Sequence, residues 1–365
     1  MSVLFATGLC VTWFADEAEG PATRTSPTLP LVELLAAAIL ASVSFVWLKA
    51  LNPAPVPGRN EVFLTVVDCL LFEQCYTVGQ GSSVLLNNGA VWPEVALAIK
   101  VFGGSVTDLY TVVVAQMAVG VGLVFLIAAR FLNAAVAVPA AVFALALLGS
   151  FRFASPLVDC SFTFLFSAAA AAALLTFALT TRPLALVIAA VFASHAVNSH
   201  VCAVVLLPAL VLFSTMAGDS PFWSAGIAGV SYLAASAITS LQALTGNWVA
   251  LWGSGLWWLA ILGVAALVVV GLRFNQSFRS LPSTAKTAVA AVLLVVPYGL
   301  GVLVLIVIDH LVRPEYLPPV IAPVSVLAAM LLAKGAGLLA PARIGNWARF
   351  LCPMVVSLFC LSLNP

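Results

Sequence analysis

The residues able to do chemistry in this chain are few and they are grouped. Only 7% of its 365 residues are charged, and there are three histidines. A long polar stretch holds Glu61, Asp68, Glu73 and Glu94. The turn Phe151-Arg-Phe-Ala-Ser-Pro-Leu-Val-Asp159 pairs Arg152 with Asp159. The junction His195-Ala-Val-Asn-Ser-His200 brings His195, Asn198 and His200 within six positions. A fourth group, Asp309-His-Leu-Val-Arg-Pro-Glu-Tyr316, contains Arg313, Glu315 and Tyr316. A carboxylate in such a set can accept a proton from a reacting hydroxyl. A guanidinium can hold a phosphate through two parallel hydrogen bonds. Each group also has a plain alternative: a solvated hairpin, a polar cap joining two short helices, or an exposed ion pair of little energetic weight.

The elements that must position these groups are apolar. Hydrophobic residues make up 63% of the chain, and an apolar run of about 18 residues or more is long enough to cross a bilayer as a helix. Eleven spans are expected, at Leu31–Leu51, Val106–Phe131, Ala134–Gly149, Cys160–Thr180, Pro183–Ser194, Val201–Met216, Phe222–Leu244, Leu256–Leu272, Thr287–Ile308, Leu317–Ala333 and Asn346–Leu363. Each must be helical, because hydrocarbon offers the backbone no other hydrogen-bond partners. The fold class is therefore all-α, a polytopic membrane bundle of about eleven spans with a long first extracytoplasmic loop. Residues 31–365 form one transmembrane domain, residues 52–104 are that loop, and residues 1–30 are a disordered cytoplasmic tail. Val3 to Phe14 is apolar but has no basic residue before it, which makes a poor signal peptide.

Lysine and arginine set the orientation. With the N-terminus in the cytoplasm, nine basic residues fall inside: Arg24, Arg130, Arg182, Arg273, Arg279, Lys286, Lys334, Arg343 and Arg349. Five fall outside: Lys49, Arg59, Lys100, Arg152 and Arg313. This arrangement puts all three histidines, and eight of the thirteen acids, on the outer side. Ionisable groups near membrane depth are costly and mark functional cavities, so the outer mouth of the bundle is the expected site.

Several chemistries find no support. A net charge of +1 gives no basic field for nucleic acid. No phosphate-loop lysine motif, dinucleotide glycine fingerprint or His-Glu-x-x-His helix occurs, and no motif supports a metal ligand set or a divalent cofactor. Cys10, Cys160, Cys202, Cys352 and Cys360 lie in or beside apolar segments and act as small hydrophobes. Cys69 and Cys75 stand in the loop, where an oxidising compartment permits a disulfide; two unpaired thiols on a short helix are the alternative. Gly79 to Ser83 is read as a loop, and the six-alanine run Ala168 to Ala173 as a site of close helix packing.

The order of these features, from about Leu31 to Ala333, resembles the GT-C superfamily of membrane glycosyltransferases, which use polyprenyl-phosphate sugars. Trp92-Pro-Glu-Val-Ala-Leu-Ala-Ile-Lys-Val-Phe-Gly-Gly-Ser105 resembles the short helix of that family, Arg130-Phe131 its second-span exit, Arg152 to Asp159 its outer Arg…Asp turn, and Arg313-Pro-Glu-Tyr-Leu-Pro-Pro319 its Arg-Tyr-x-x-Pro start of a late span. There are departures: no paired acids follow the first span, Pro314 and Glu315 split the Arg-Tyr pair, and Trp92-Pro93 stands where the family has His-Pro-Pro. The segments Cys69…Cys75, Gly79-Gln-Gly-Ser-Ser83 and Asn88 to Trp92 also resemble a set of bacterial membrane proteins, which implies a bacterial inner (plasma) membrane.

The resemblance implies sugar transfer from a polyprenyl-phosphate donor to an acceptor on the extracytoplasmic side. It implies Asp68 as general base with Glu61 second. It implies Arg313, Arg152, His195 and His200 on the donor phosphate, and Asp159, Asn198, Glu315 and Tyr316 in the polar cavity. Its partners are the bilayer, the lipid donor and an acceptor. A transporter or flippase for a lipid-linked or small polar solute is the competing expectation; the fifth and sixth spans are short and broken, but no matching pair occurs in another half, which speaks against it. A scaffold that has lost catalysis is the third.

Overall fold

The computed structural model describes residues 29–51, 106–132, 134–149, 157–199, 203–204, 206–239, 257–282, 317–339 and 345–363, with short pieces between 285 and 296. Ten helices fill the longer segments: α1 (Leu29–Leu51), α2 (Val106–Phe131), α3 (Ala134–Gly149), α4 (Leu157–Thr180), α5 (Pro183–Ser199), α6 (Leu206–Ala217), α7 (Pro221–Thr239), α8 (Trp257–Arg279), α9 (Pro318–Leu339) and α10 (Gly345–Ser362). No strand occurs among the described residues. The all-α class stands. Among the described residues, five helices are long and apolar enough to cross a membrane, and four shorter apolar ones accompany them. The expected ninth span falls mostly outside the described residues, as do the loop 52–104 and the tail 1–28.

Helix ends follow local chemistry. Proline opens α5, α7 and α9, where its missing N–H would be unpaired anyway. The turn between α4 and α5 is tight. The Thr181 N–H closes onto the Phe177 carbonyl at 2.8 Å, and Thr181 itself sits at φ 55°. That conformation strains a β-branched residue, and the Thr181 hydroxyl is held there by donating to Asp219 at 2.9 Å.

One helix is the centre. The spanning part of α4 is 94% buried, against 17% for α1 and 11% for α8. α4 packs against α2, α5, α6 and α9. Its alanines Ala168 to Ala173 are each no more than 3% exposed, so the alanine run does serve close packing, as small side chains let helix backbones approach. The peripheral helices turn apolar side chains outward. Leu31, Leu35, Ile39, Val43 and Val46 are exposed along one stripe of α1, and Ile261, Leu262, Val269 and Phe274 are exposed on α8. Contiguous apolar surface on that scale is foreign to a water-soluble monomer and suits lipid.

Paired contacts fix the directions of the helices. Lys49 donates to the Thr111 hydroxyl at 2.9 Å, while Gly122 lies against the Ala37 carbonyl, so that a Cβ there would sit 3.1 Å from it. The partner number falls as the first rises, so α1 and α2 are antiparallel. Gln116 meets Ser161 and Gly120 lies under Phe164, so α2 and α4 run parallel. Thr181, Asp219 and Arg279 meet at one end, which is called the lower end below. The opposite, upper end holds the starts of α2 and α4 and the finishes of α1, α5 and α7.

Several boundaries correct the sequence reading. The junction at 195–200 is not a turn up to Ser199: α5 continues through His195 and Asn198. The Ser199 hydroxyl bonds back to the His195 carbonyl at 2.8 Å, supplying a carbonyl near the helix end with a local partner. α4 starts at Leu157, which takes Asp159 into its first turn. α8 runs on to Arg279 and α9 to Leu339, beyond the expected Leu272 and Ala333.

Candidate functional site

The two ends of the bundle treat polar groups differently. At the lower end several polar side chains are joined to one another or to helix-end carbonyls. Asp219 accepts from Thr181 and pairs with Arg279 at 2.5 Å. Asn275 donates from Nδ2 to the carbonyls of Thr215 (3.1 Å), Met216 (2.9 Å) and Gly218 (3.0 Å). These are end carbonyls of α6 that lack intrahelical partners. Thr176, Thr180, Ser214 and Thr215 each bond a carbonyl three or four residues back.

In the upper half, and in α9, the pairing is incomplete. Four buried side-chain atoms of the described residues have no hydrogen-bond partner: Gln116 Nε2, Ser167 Oγ, His195 Nδ1 and Ser325 Oγ. Gln116, Ser167 and His195 lie in the upper halves of α2, α4 and α5. Ser325 lies in the first half of α9, which packs on α4. An unpaired buried polar group costs about 1–3 kcal/mol, so four of them in one bundle require a reason.

Neighbouring residues hold these groups in place. The Ser161 hydroxyl donates to Gln116 Oε1 at 2.9 Å, fixing the amide and leaving its NH2 to point elsewhere. The His195 ring packs on Phe166, with centroids 5.4 Å apart and planes tilted by 43°. Phe166 in turn stacks on Phe192 at 6.2 Å, so the imidazole is built into an aromatic column on the α4–α5 seam. Ser194, the residue before His195, shares a 2.7 Å hydrogen bond with Ser236 of α7, which anchors that stretch of α5 from the other side. Pro323 in α9 lacks the N–H that would bond the Pro319 carbonyl, adding another backbone acceptor near Ser325.

Helix length adds a second feature. α6 has 12 residues, so at 1.5 Å per residue it rises only about 18 Å, while the hydrocarbon core is about 30 Å thick. Measured from Ala217 at the lower end, the described part of α6 therefore covers less than that thickness. Ala203 and Val204, a 3₁₀ piece just before it, are buried and 45% exposed respectively.

Of the residues expected from sequence, the structure places His195 and Asn198 together on α5, one turn apart. Asp159 is in the first turn of α4. Asp68, Glu61, Arg313, Arg152, His200, Glu315, Tyr316, Cys69 and Cys75 lie outside the described residues. Sequence reasoning passed over Gln116, Ser161, Ser167, Ser236 and Ser325 because they carry no charge. The signal that finds Gln116 is an amide isolated in the apolar run Val112-Val-Val-Ala-Gln-Met117. No group of His, Cys, Asp and Glu able to hold a metal ion occurs among the described residues. No protein family, no curated protein and no solved structure matches this chain.

Proposed function

We propose that the upper mouth of the bundle takes up the polar head of a lipid-linked substrate, and that the chain is a membrane glycosyltransferase using a polyprenyl-phosphate sugar. The observation that carries this reading is His195. Its Nδ1 is buried without a partner, yet its ring is fixed by Phe166. A fixed imidazole with one buried, unpaired nitrogen is a poor choice for packing alone and a good one for receiving a ligand group.

In this reading Asp68 removes the proton of the acceptor hydroxyl as the new glycosidic bond forms. The bond from the sugar anomeric carbon to the phosphate oxygen breaks, and polyprenyl phosphate leaves with the negative charge. Arg313 and Arg152 meet that charge through bidentate hydrogen bonds, with His195 and His200 as further donors. The polyprenyl tail stays in lipid against the apolar outer faces.

The test separates structure from function at one residue. His195→Phe removes an unpaired polar atom and extends the aromatic column, so the melting temperature should hold or rise. Donor binding and sugar transfer should be lost. A variant that melts lower and still transfers sugar overturns the proposal. Asp68→Asn should abolish transfer with expression intact; if it does not and Glu61→Gln is dead, the base is Glu61, and if both transfer, the mechanism is wrong. A second reading, transport of a lipid-linked solute, is favoured by the short α6, since discontinuous helices are the mark of transporter sites. Uptake of a lipid-linked sugar by vesicles holding the purified chain, with no product formed, would select it.

A further inference from the structure

The last 50 residues, 316–365, contain Lys334, Arg343 and Arg349 and no acid. α9 and α10 form a hairpin in this segment and pack on each other. The Arg349 side chain lies flat on the backbone of Gly337; a Cβ at 337 would be 3.0 Å from Arg349 Cγ and 3.1 Å from Cδ. Lys334 is one turn before Gly337 on α9, so both cations flank the turn end of this hairpin. Both are exposed, and neither forms an ion pair among the described residues. Trp347 on α10 is 69% exposed, and Leu338 and Leu339 at the finish of α9 are 87% and 89% exposed. Tryptophan beside lysine and arginine is the composition of a membrane–water boundary.

We infer that the α9–α10 hairpin end, through Lys334 and Arg349, binds the phosphate of an anionic phospholipid whose tails lie against Trp347, Leu338 and Leu339. Charge complementarity carries the assignment: two cations without an ion pair among the described residues stand beside an apolar surface, and the segment 316–365 holds no Asp or Glu. Gly337 leaves the Arg349 stem room to lie across the hairpin in this position. The inference stands apart from the proposed catalysis, which uses other residues.

The full-length chain is placed in phosphatidylcholine nanodiscs with and without phosphatidylglycerol. Bound lipid is counted by native mass spectrometry and stability is followed by thermal melting. Phosphatidylglycerol should raise the melting temperature of the wild type and remain bound on release from the disc. K334Q/R349Q should weaken its retention by about fivefold per residue, about 25-fold together. Lys286→Gln, remote in sequence from the hairpin, should leave retention unchanged. The phosphatidylglycerol effect should also shrink as salt is raised, since charge attraction is screened; this arm needs no variant. Equal retention in the double variant, no salt dependence in the wild type, or full reproduction of the shift by soluble glycerol phosphate would each overturn the assignment.

Discussion

Asn275 gives the sharpest test of how the lower end is built. Its Nδ2 carries two hydrogens and faces three carbonyls at 2.9 to 3.1 Å, so about two full hydrogen bonds are made at any instant. Each is worth about 1 kcal/mol in a water-soluble protein and about 0.6 kcal/mol within a membrane bundle. The carbonyls belong to a buried helix end, with Thr215 at 0% and Met216 at 4% exposure, so water cannot readily replace the amide. Leaving one of them unpaired adds about 1–3 kcal/mol. Asn275→Ala should therefore cost about 2–4 kcal/mol. The neighbouring Arg279–Asp219 pair is shorter and charged, but its side chains are 44% and 60% exposed, and exposed pairs contribute about 0–1 kcal/mol. Burial outweighs charge here. In a mild detergent, Asn275→Ala should lower the melting temperature by about 5 °C, and Arg279→Gln by less than half of that. If Arg279→Gln proves the more damaging, the ranking of a buried neutral cap above an exposed ion pair is wrong.

Other expectations follow from the same contacts. Gly122→Leu drives a side chain into the Ala37 carbonyl and the Ala41 methyl; α1 must shift, at about 1–3 kcal/mol, and a disulfide between cysteines placed at 49 and 111 should form less efficiently. The Ser194–Ser236 hydrogen bond should give a coupling of about 0.6 kcal/mol in a double-alanine melting cycle, and zero coupling would mean the pair does not hold α5 to α7. Gly120→Leu strikes Phe164 on the central helix and should destabilise more than the same change at Gly263, where a Cβ meets nothing within 4 Å.

Hydropathy made the helices legible because apolar runs near 20 residues have few alternatives. Val106–Phe131 and Ala134–Gly149 match the sequence reading residue for residue. The ends blurred where polarity was taken as a stop. His195, Asn198, Arg273 and Arg279 all looked like turn residues and all lie within helices. The reason is that hydrogen-bond partners come from neighbouring residues: Ser199 bonds the His195 carbonyl, and Asp219 pairs with Arg279. The candidate site was legible only through its charges. Its neutral part shows only when helices are packed together, because no spacing in the sequence marks Gln116 of α2 and Ser161 of α4 as partners, or Ser167 and Ser325 as buried without one.

The asymmetry between the ends bears on how such a bundle works. The lower end is closed by hydrogen bonds that join three turns at Asp219 and Asn275. The upper half keeps buried polar atoms unmatched. A bundle shaped for stability alone would place phenylalanine at His195, since a buried polar atom without a partner only costs free energy. Retaining unmatched atoms of Gln116, Ser167 and His195 in the upper half, while Asn275 and Asp219 tie the lower end together, puts the bonded frame and the unmatched atoms in different halves of the same helices. α4 links the two, with Thr176 satisfied below and Ser167 unsatisfied above. A substrate head group that donates to or accepts from these atoms then gains binding free energy that the folded chain has left unused, which is how binding to the upper half would also stabilise it.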